Sequence, residues 1–525
     1  MGEPDEIAYP EWTEQRKKRG LDPLGMQNSS VTLYQRLIPG ISNVTQRIRY
    51  YGFYAWLSAS YAHQIGDTDP KTWQRFIRRS EALYALVAQR FGGEIGVAGT
   101  EWAQRKLDGA FSDLIDFAVD AEPGSATHYL KQAWGVYGAA YASQLFEVGV
   151  LSSVETHSVP VPSSLIGVEL ADAFAMALGP VATHFLDAVE RGTVSTQELD
   201  AFSVMLPSAI AEESAEEGAY QRLLFATAGL TRETDRERAR TLTLLLQLID
   251  QLKATPSERD IRWALYSGFR YDGSELVWSQ DVSLLQRRKW WVYQANDLAH
   301  VCLEALLKYL LDSLEPHRAG VPPKRLISEA VAQLLDTIGT PPSSWAAWLE
   351  QCRPAANAWS AGDPTAEETL SQRLLRAAHD RAHCGANEAW TALQLLAVLH
   401  NRASLMHEEI VQALGQFDPN AFRSLLTEVR FLDMHLHQSF AATVGALLEQ
   451  RVLRRHLWVA MRKLRFQSDY TFLIDADDGL VRLRAKDGPV LTNPRLRPAI
   501  TFLKDVHLLG DAGLTQRGRA LMETL

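Results

Sequence analysis

Residues 298–314 read LAHVCLEALLKYLLDSL, and this run decides the fold class. Apolar residues recur at spacings of three and four, the period of a helix with a wide apolar stripe. Residues 242–252 and 326–338 repeat the pattern. Helix starts are written in a recurring form, a capping residue followed by Pro. Asp69-Pro70, Thr255-Pro256, Asp363-Pro364 and Asp418-Pro419 are the instances. The cap accepts a bond from an orphan N–H, and Pro lacks the N–H that would be orphaned anyway. Ser195-Thr196-Gln197-Glu198 and Thr255-Pro256-Ser257-Glu258 have the spacing of capping boxes. The chain is therefore expected to be mainly α.

Strand signal is scarce. The clearest case is residues 470–475 and 480–485, joined through Asp477-Asp478-Gly479, a hairpin turn signal. Alternation would turn Val481, Leu483 and Ala485 inward and Arg482 and Arg484 outward. Residues 142–174 and 502–522 each read as a helix, an extended or turning piece and a Gly-led helix, a winged-helix-like close. Pro/Gly/Ser-rich breaks fall at 158–164, 315–323, 339–344 and around Pro354 and Gly362-Asp363-Pro364. The expected organisation is a helical segment 1–205 with a winged-helix-like element near 141–176. A central helical segment 206–445 and a basic, winged-helix-like α+β domain 446–525 follow.

At 525 residues the chain is too long for one small core and should divide into domains. Cys302, Cys352 and Cys384 are widely spaced, which excludes zinc fingers and C-x-x-C redox chemistry. So few thiols fit a reducing cytoplasm. Residues 1–6 have neither a basic nor an apolar region, so no signal peptide is expected. The most apolar stretch, 135–151, is too polar to span a bilayer, and no membrane association is expected.

Charge is unevenly placed. The whole chain carries −10, yet residues 451–525 hold 14 Lys+Arg against 8 Asp+Glu. The excess concentrates on a predicted helix, 451–465. At 100° per residue, Arg451, Arg454, Arg455, Trp458, Arg462 and Arg465 fall within about 100° of arc. Leu453, Leu457, Ala460 and Leu464 fall opposite, as an expected core stripe. Five arginines on one face repel unless a partner supplies negative charge. Nucleic-acid phosphate would supply it, DNA more readily than RNA, and Trp458 would stack on an unpaired base. Arg482 and Arg484 of the hairpin extend the expected surface. An acidic protein face is the rival partner.

Residues 45–57 read as a second helix, with aromatics all the way round and therefore buried on most sides. Arg47 and Arg49 are expected to be paired within the N-terminal segment. With Arg36 they would otherwise line a phosphate site. The run Pro39-Gly40-x-Ser42-x-x-Thr45-x-Arg47-x-Arg49-Tyr50 is similar to a segment of uncharacterised bacterial proteins encoded in anti-phage defence clusters, often beside helicase genes. His456-x-x-Val459-Ala460-x-Arg462-Lys463-Leu464-Arg465 resembles a segment met in the same setting. The resemblance covers some thirty residues. It implies a context, one component of a multi-gene defence system acting with partners such as a helicase, and no reaction.

No catalytic motif stands out. There is no Walker A, G-x-G-x-x-G, G-x-S-x-G or HExxH. Seven of fourteen histidines lie between His379 and His456, and His379/His383 have metal-ligand spacing beside Cys384. No second tight pair completes a site, so neither metal nor cofactor is expected. Arg–His pairs at the spacing of HEPN-type ribonucleases occur at Arg373/His379, Arg376/His383, Arg402/His407, Arg430/His435, Arg430/His437 and Arg451/His456. Asp113, Asp116 and Asp120 are expected on one helix face and Glu212, Glu213, Glu216 and Glu217 on another, both solvated. Asp475, Asp477, Asp478 and Lys486 resemble a nuclease set without its second-strand element. The leading expectation is a non-enzymatic subunit that engages nucleic acid or recruits partners. A ribonuclease or metal-dependent nuclease using 379–456 and a pure scaffold are the alternatives.

Overall fold

A computed structural model describes residues 22–92, 94–109, 113–227, 229–278, 281–353, 366–377, 382–418 and 423–525. Helices dominate, and the described strands form four two-stranded antiparallel sheets. The run 298–314 lies in a single helix, Asp281–Leu314, about 50 Å long. It is buried on nearly every side, as an all-round apolar helix must be. Gln27–Leu37, Glu233–Leu252, Glu258–Ser267, Pro323–Ile338 and Ala386–Leu405 pack around it.

This central helix also carries buried polar groups, and three of them take partners from elsewhere in the chain. Asn296 donates to the hydroxyls of Ser29 and Ser30 and accepts from the Leu425 N–H. Asp297 pairs with Arg262 at 2.7 Å and accepts from Thr492. Asp312 takes Lys308, Lys486 and the Cys384 N–H. Buried polar groups without partners would cost more than they contribute, so these contacts fix which segments surround the helix.

The aromatic helix runs Arg49–Gln64, four residues later than expected. Ser42 and Thr45 close a turn instead, with the Ser42 N–H donating to Thr45 Oγ1 at 2.8 Å. The Asp505 carboxylate accepts from the Ile48 N–H at the helix entrance. Burial all round holds as far as Ser58. Gly52 is required by close approach, since a Cβ there would collide with the Tyr220 hydroxyl.

Asp69-Pro70 opens the helix Pro70–Phe91 as expected, and the Ser195/Glu198 capping box is present. At 255–260 the cap is Ser257, boxed with Asp260, because the Thr255 hydroxyl donates to the Gly510 carbonyl. Asp363-Pro364 and Pro419 lie outside the described residues.

The hairpin Ile474–Asp477/Leu480–Leu483 turns at Asp478 and Gly479, both with positive φ, as a two-residue turn requires. Its first strand starts later than expected, and Ala485 is exposed rather than inward. The segment 142–174 contains the hairpin Leu151–Val154/His157–Pro162, and 502–522 contains Leu509–Gly510/Gly513–Leu514.

Two acidic sets differ from expectation. Asp116 ends a strand, and Asp120 is buried on a one-turn helix, where Lys106 pairs with it at 2.6 Å. Glu216 and Glu217 are buried, because Arg49 reaches the first and Arg517 the second. No single helix among the described residues is long and apolar enough to cross a membrane.

Candidate nucleic-acid interface

A π-helical stretch, Leu447–Leu453, leads into the basic helix Arg454–Gln467, which stops at Ser468 with positive φ. The buried face differs from the expected stripe. Leu453 and Ala460 are buried, but Leu464 is exposed, and Arg455, His456 and Val459 turn inward. The face is rotated by about one residue, or 100°. The cause is the loop at 22–24, whose carbonyls collect polar side chains of the helix. Arg455 donates to the Leu24 carbonyl at 2.9 Å, His456 Nδ1 to that of Pro23 at 3.2 Å, and Lys463 to that of Asp22 at 3.1 Å.

The expected arginine stripe therefore divides. Arg451 is inside, in a bidentate pair with Glu428 at 2.7 and 2.6 Å, with its guanidinium over the Phe431 ring. Arg455 is buried, and burial together with nearby Arg423 pushes it down to about 10. Neither can meet phosphate from this position. Arg482 donates to the Ala319 carbonyl, and Arg484 lies over the Tyr470 ring near Asp475. Arg454 is exposed but pairs with Glu449 at 2.5 Å. Arg462 and Arg465 are exposed and have no carboxylate partner among the described residues.

What remains outward is a compact surface of two cations with several aromatic and apolar groups. Trp458 is 44% exposed and Phe466 74%, with Met461, Leu464 and Tyr470 also exposed. The guanidiniums of Arg455 and Arg462 lie 4.3 and 5.5 Å from the Trp458 ring centre. Both lie within cation–π distance of the indole, which they help to fix on the helix. Beside it a groove of about 560 Å³ runs between the helix and residues 22–28, lined by Gly25, Asn28, Trp458, Arg462 and Phe466. Phe466 and Asn28 were not singled out from the sequence. Phe466 adjoins Arg465 and was legible as an aromatic on a basic helix; Asn28 was not, since it joins only through folding.

The enzymatic alternatives find little geometry. His456 is buried, with Nε2 accepting from the Leu473 N–H, and burial lowers it to about 4. It bonds away from Arg451, which pairs with Glu428. Arg402 is held by Glu367 at 2.9 Å, while His407 is exposed. His379 lies outside the described residues, so the His379/His383 pair does too. His383 approaches Asp312 and Glu315, but Lys486 already bridges those carboxylates at 2.7 and 2.9 Å. That contact also takes Lys486 from the hairpin acids. Arg36, Arg47 and Arg49 do not converge. Arg36 sits over Phe417, Arg47 pairs with Asp505 and Glu94, and Arg49 with Glu216, so neither Arg47 nor Arg49 is paired only within the N-terminal segment.

Comparison with protein-family models, curated proteins and solved structures returned no match.

Proposed function

We propose that this chain is a non-enzymatic, nucleic-acid-engaging subunit, with a winged-helix-like unit at 446–525 whose basic helix meets the ligand. The observation that carries the reading is the exposed pair Arg462 and Arg465 beside Trp458 and Phe466. Cations without carboxylate partners next to exposed aromatic faces are the two ingredients of single-strand recognition, phosphate contact and base stacking. DNA is the proposed ligand. The defence setting, a cytoplasmic complex with partners such as a helicase, enters from the resemblance of the two short segments. A partner-recruiting face is the second reading, favoured by the exposed Met461 and Leu464.

Fluorescence anisotropy with labelled single- and double-stranded DNA tests the proposal. Binding at low salt that is lost in Arg462→Glu/Arg465→Glu supports it. Absence of binding at low salt, where phosphate contacts are strongest, retires it in favour of the protein-partner reading.

A further inference from the structure

Asp297, His300 and Glu304 follow one another at spacings of three and four on the central helix, so they share a face. All three are buried. Arg262 neutralises Asp297. No arginine pairs with Glu304 in this way among the described residues, while the Lys463 ammonium acts electrostatically on both Glu304 and Asp22. Its Oε1 lies 2.8 Å from His300 Nε2, yet the two are not aligned as donor and acceptor. Neither ring nitrogen of His300 nor Glu304 Oε1 makes a hydrogen bond. Asp22 arrives from the start of the described chain, with a carboxylate oxygen within 4.8 Å of the His300 and Glu304 donors. Asp22 Oδ1 accepts from the Met26 and Gln27 N–H groups, which fixes the carboxylate in place. Asp487 adds a further negative charge near Glu304.

Donor atoms of Asp22, His300 and Glu304 thus lie close enough together to share one cation. Two ligands bound at about 2.1 Å to a tetrahedral ion lie about 3.4 Å apart, so Nε2 and Oε1, now 2.8 Å apart, would separate by about 0.6 Å on binding. The other ring nitrogen, Nδ1, faces Asp297 at 3.6 Å, so a shift of about 0.6 Å would let it donate to the carboxylate as metal-bound imidazoles do.

We infer that Asp22, His300 and Glu304 bind one divalent transition-metal ion, zinc or manganese. One imidazole nitrogen with two carboxylates suits these ions, whereas calcium and magnesium prefer oxygen throughout. His300 and Glu304 are buried on the central helix and Asp22 sits at the edge of the groove, so the ion's role is structural. It fastens Asp22, and with it the carbonyls of Pro23 and Leu24 on which His456 and Arg455 of the basic helix rest. The inference does not depend on the nucleic-acid reading.

The test uses the full chain purified without chelator. Elemental analysis should find about one zinc or manganese per chain. Chelator should lower the melting temperature, and zinc or manganese alone should restore it. Asp22→Asn, at the least buried ligand, should weaken the metal at least ten-fold while the chain stays folded, and Glu304→Gln should do the same. A folded wild type that holds no metal and whose melting temperature ignores both ions overturns the inference; His300 is then an imidazolium between Asp297 and Glu304. Metal retained undiminished in folded Asp22→Asn and Glu304→Gln also overturns it, because the ion then lies elsewhere. Should either variant not fold, the wild-type titration decides alone.

Discussion

Arg49 and Glu216 meet as a bidentate ion pair out of reach of solvent, Nε to Oε1 at 2.8 Å and Nη2 to Oε2 at 2.9 Å. The remaining guanidinium nitrogen donates to the carbonyls of Val204 and Leu206, and the Tyr220 hydroxyl completes Glu216. Removing the arginine leaves a buried carboxylate without its counter-charge, held only by the Tyr220 hydroxyl among the described residues. Arg49→Ala should therefore cost about 3–5 kcal/mol, visible as a lower denaturation midpoint. Replacing both, Arg49→Met with Glu216→Leu, should recover much of the loss. An unchanged midpoint with lost binding would make Arg49 a ligand residue instead.

The basic helix gives a second prediction. Only Arg454, Arg462, Arg465 and Arg484 are exposed among the eight residues expected to bind, besides Trp458. At about 0.7–0.9 counterions per phosphate, two to four contacts give a log–log salt slope between about −1.4 and about −3.6. Arg462→Glu/Arg465→Glu should abolish binding at an unchanged melting temperature. Arg455→Glu should instead lower it, since a carboxylate would face the Leu24 carbonyl.

Aromatic exposure gives a third. Trp458→Ala and Phe466→Ala should each weaken single-stranded DNA by about 1–3 kcal/mol and duplex DNA less, because stacking needs an open base face. Equal losses on both ligands, measured by anisotropy, would assign these side chains to groove shape.

His456 gives a pH prediction. Its folded pKa, lowered to about 4 by burial, lies below the ordinary 6.5. Between those values the unfolded chain takes the proton and the native chain does not. The contribution to stability is thus fully present above pH 6.5 and lost as pH falls through 4. Protonated Nε2 can no longer accept from the Leu473 N–H. The stability gap between wild type and His456→Gln should narrow by up to about 3 kcal/mol from pH 7 to pH 4. A constant gap in urea melts at both pH values would show that His456 does not titrate there.

Much of the helical framework was legible before folding. Residues 298–314, the Asp69-Pro70 start and the Ser195/Glu198 box depend on neighbours within a turn or two, and they appear as read. The basic helix also exists where its composition placed it. Its working face was misread because periodicity ranks side chains by apolarity. It cannot see that backbone carbonyls at 22–24, more than 430 residues away, would draw Arg455 and His456 inward.

The same distinction runs through the whole chain. The sequence by itself determined helix class, many helix bounds, the hairpin turn at Asp478-Gly479 and the concentration of positive charge after residue 450. These follow from local propensity, caps and composition. Tertiary structure alone decided which charges are spent. It gave Glu216 to Arg49, Glu428 to Arg451 and Asp505 to Arg47, left Arg462 and Arg465 without carboxylates among the described residues, and brought Asp22 to His300. Desolvation makes an unpaired buried charge costly, so a long-range partner, absent from any local window, fixes whether a charged side chain is structural or free to bind.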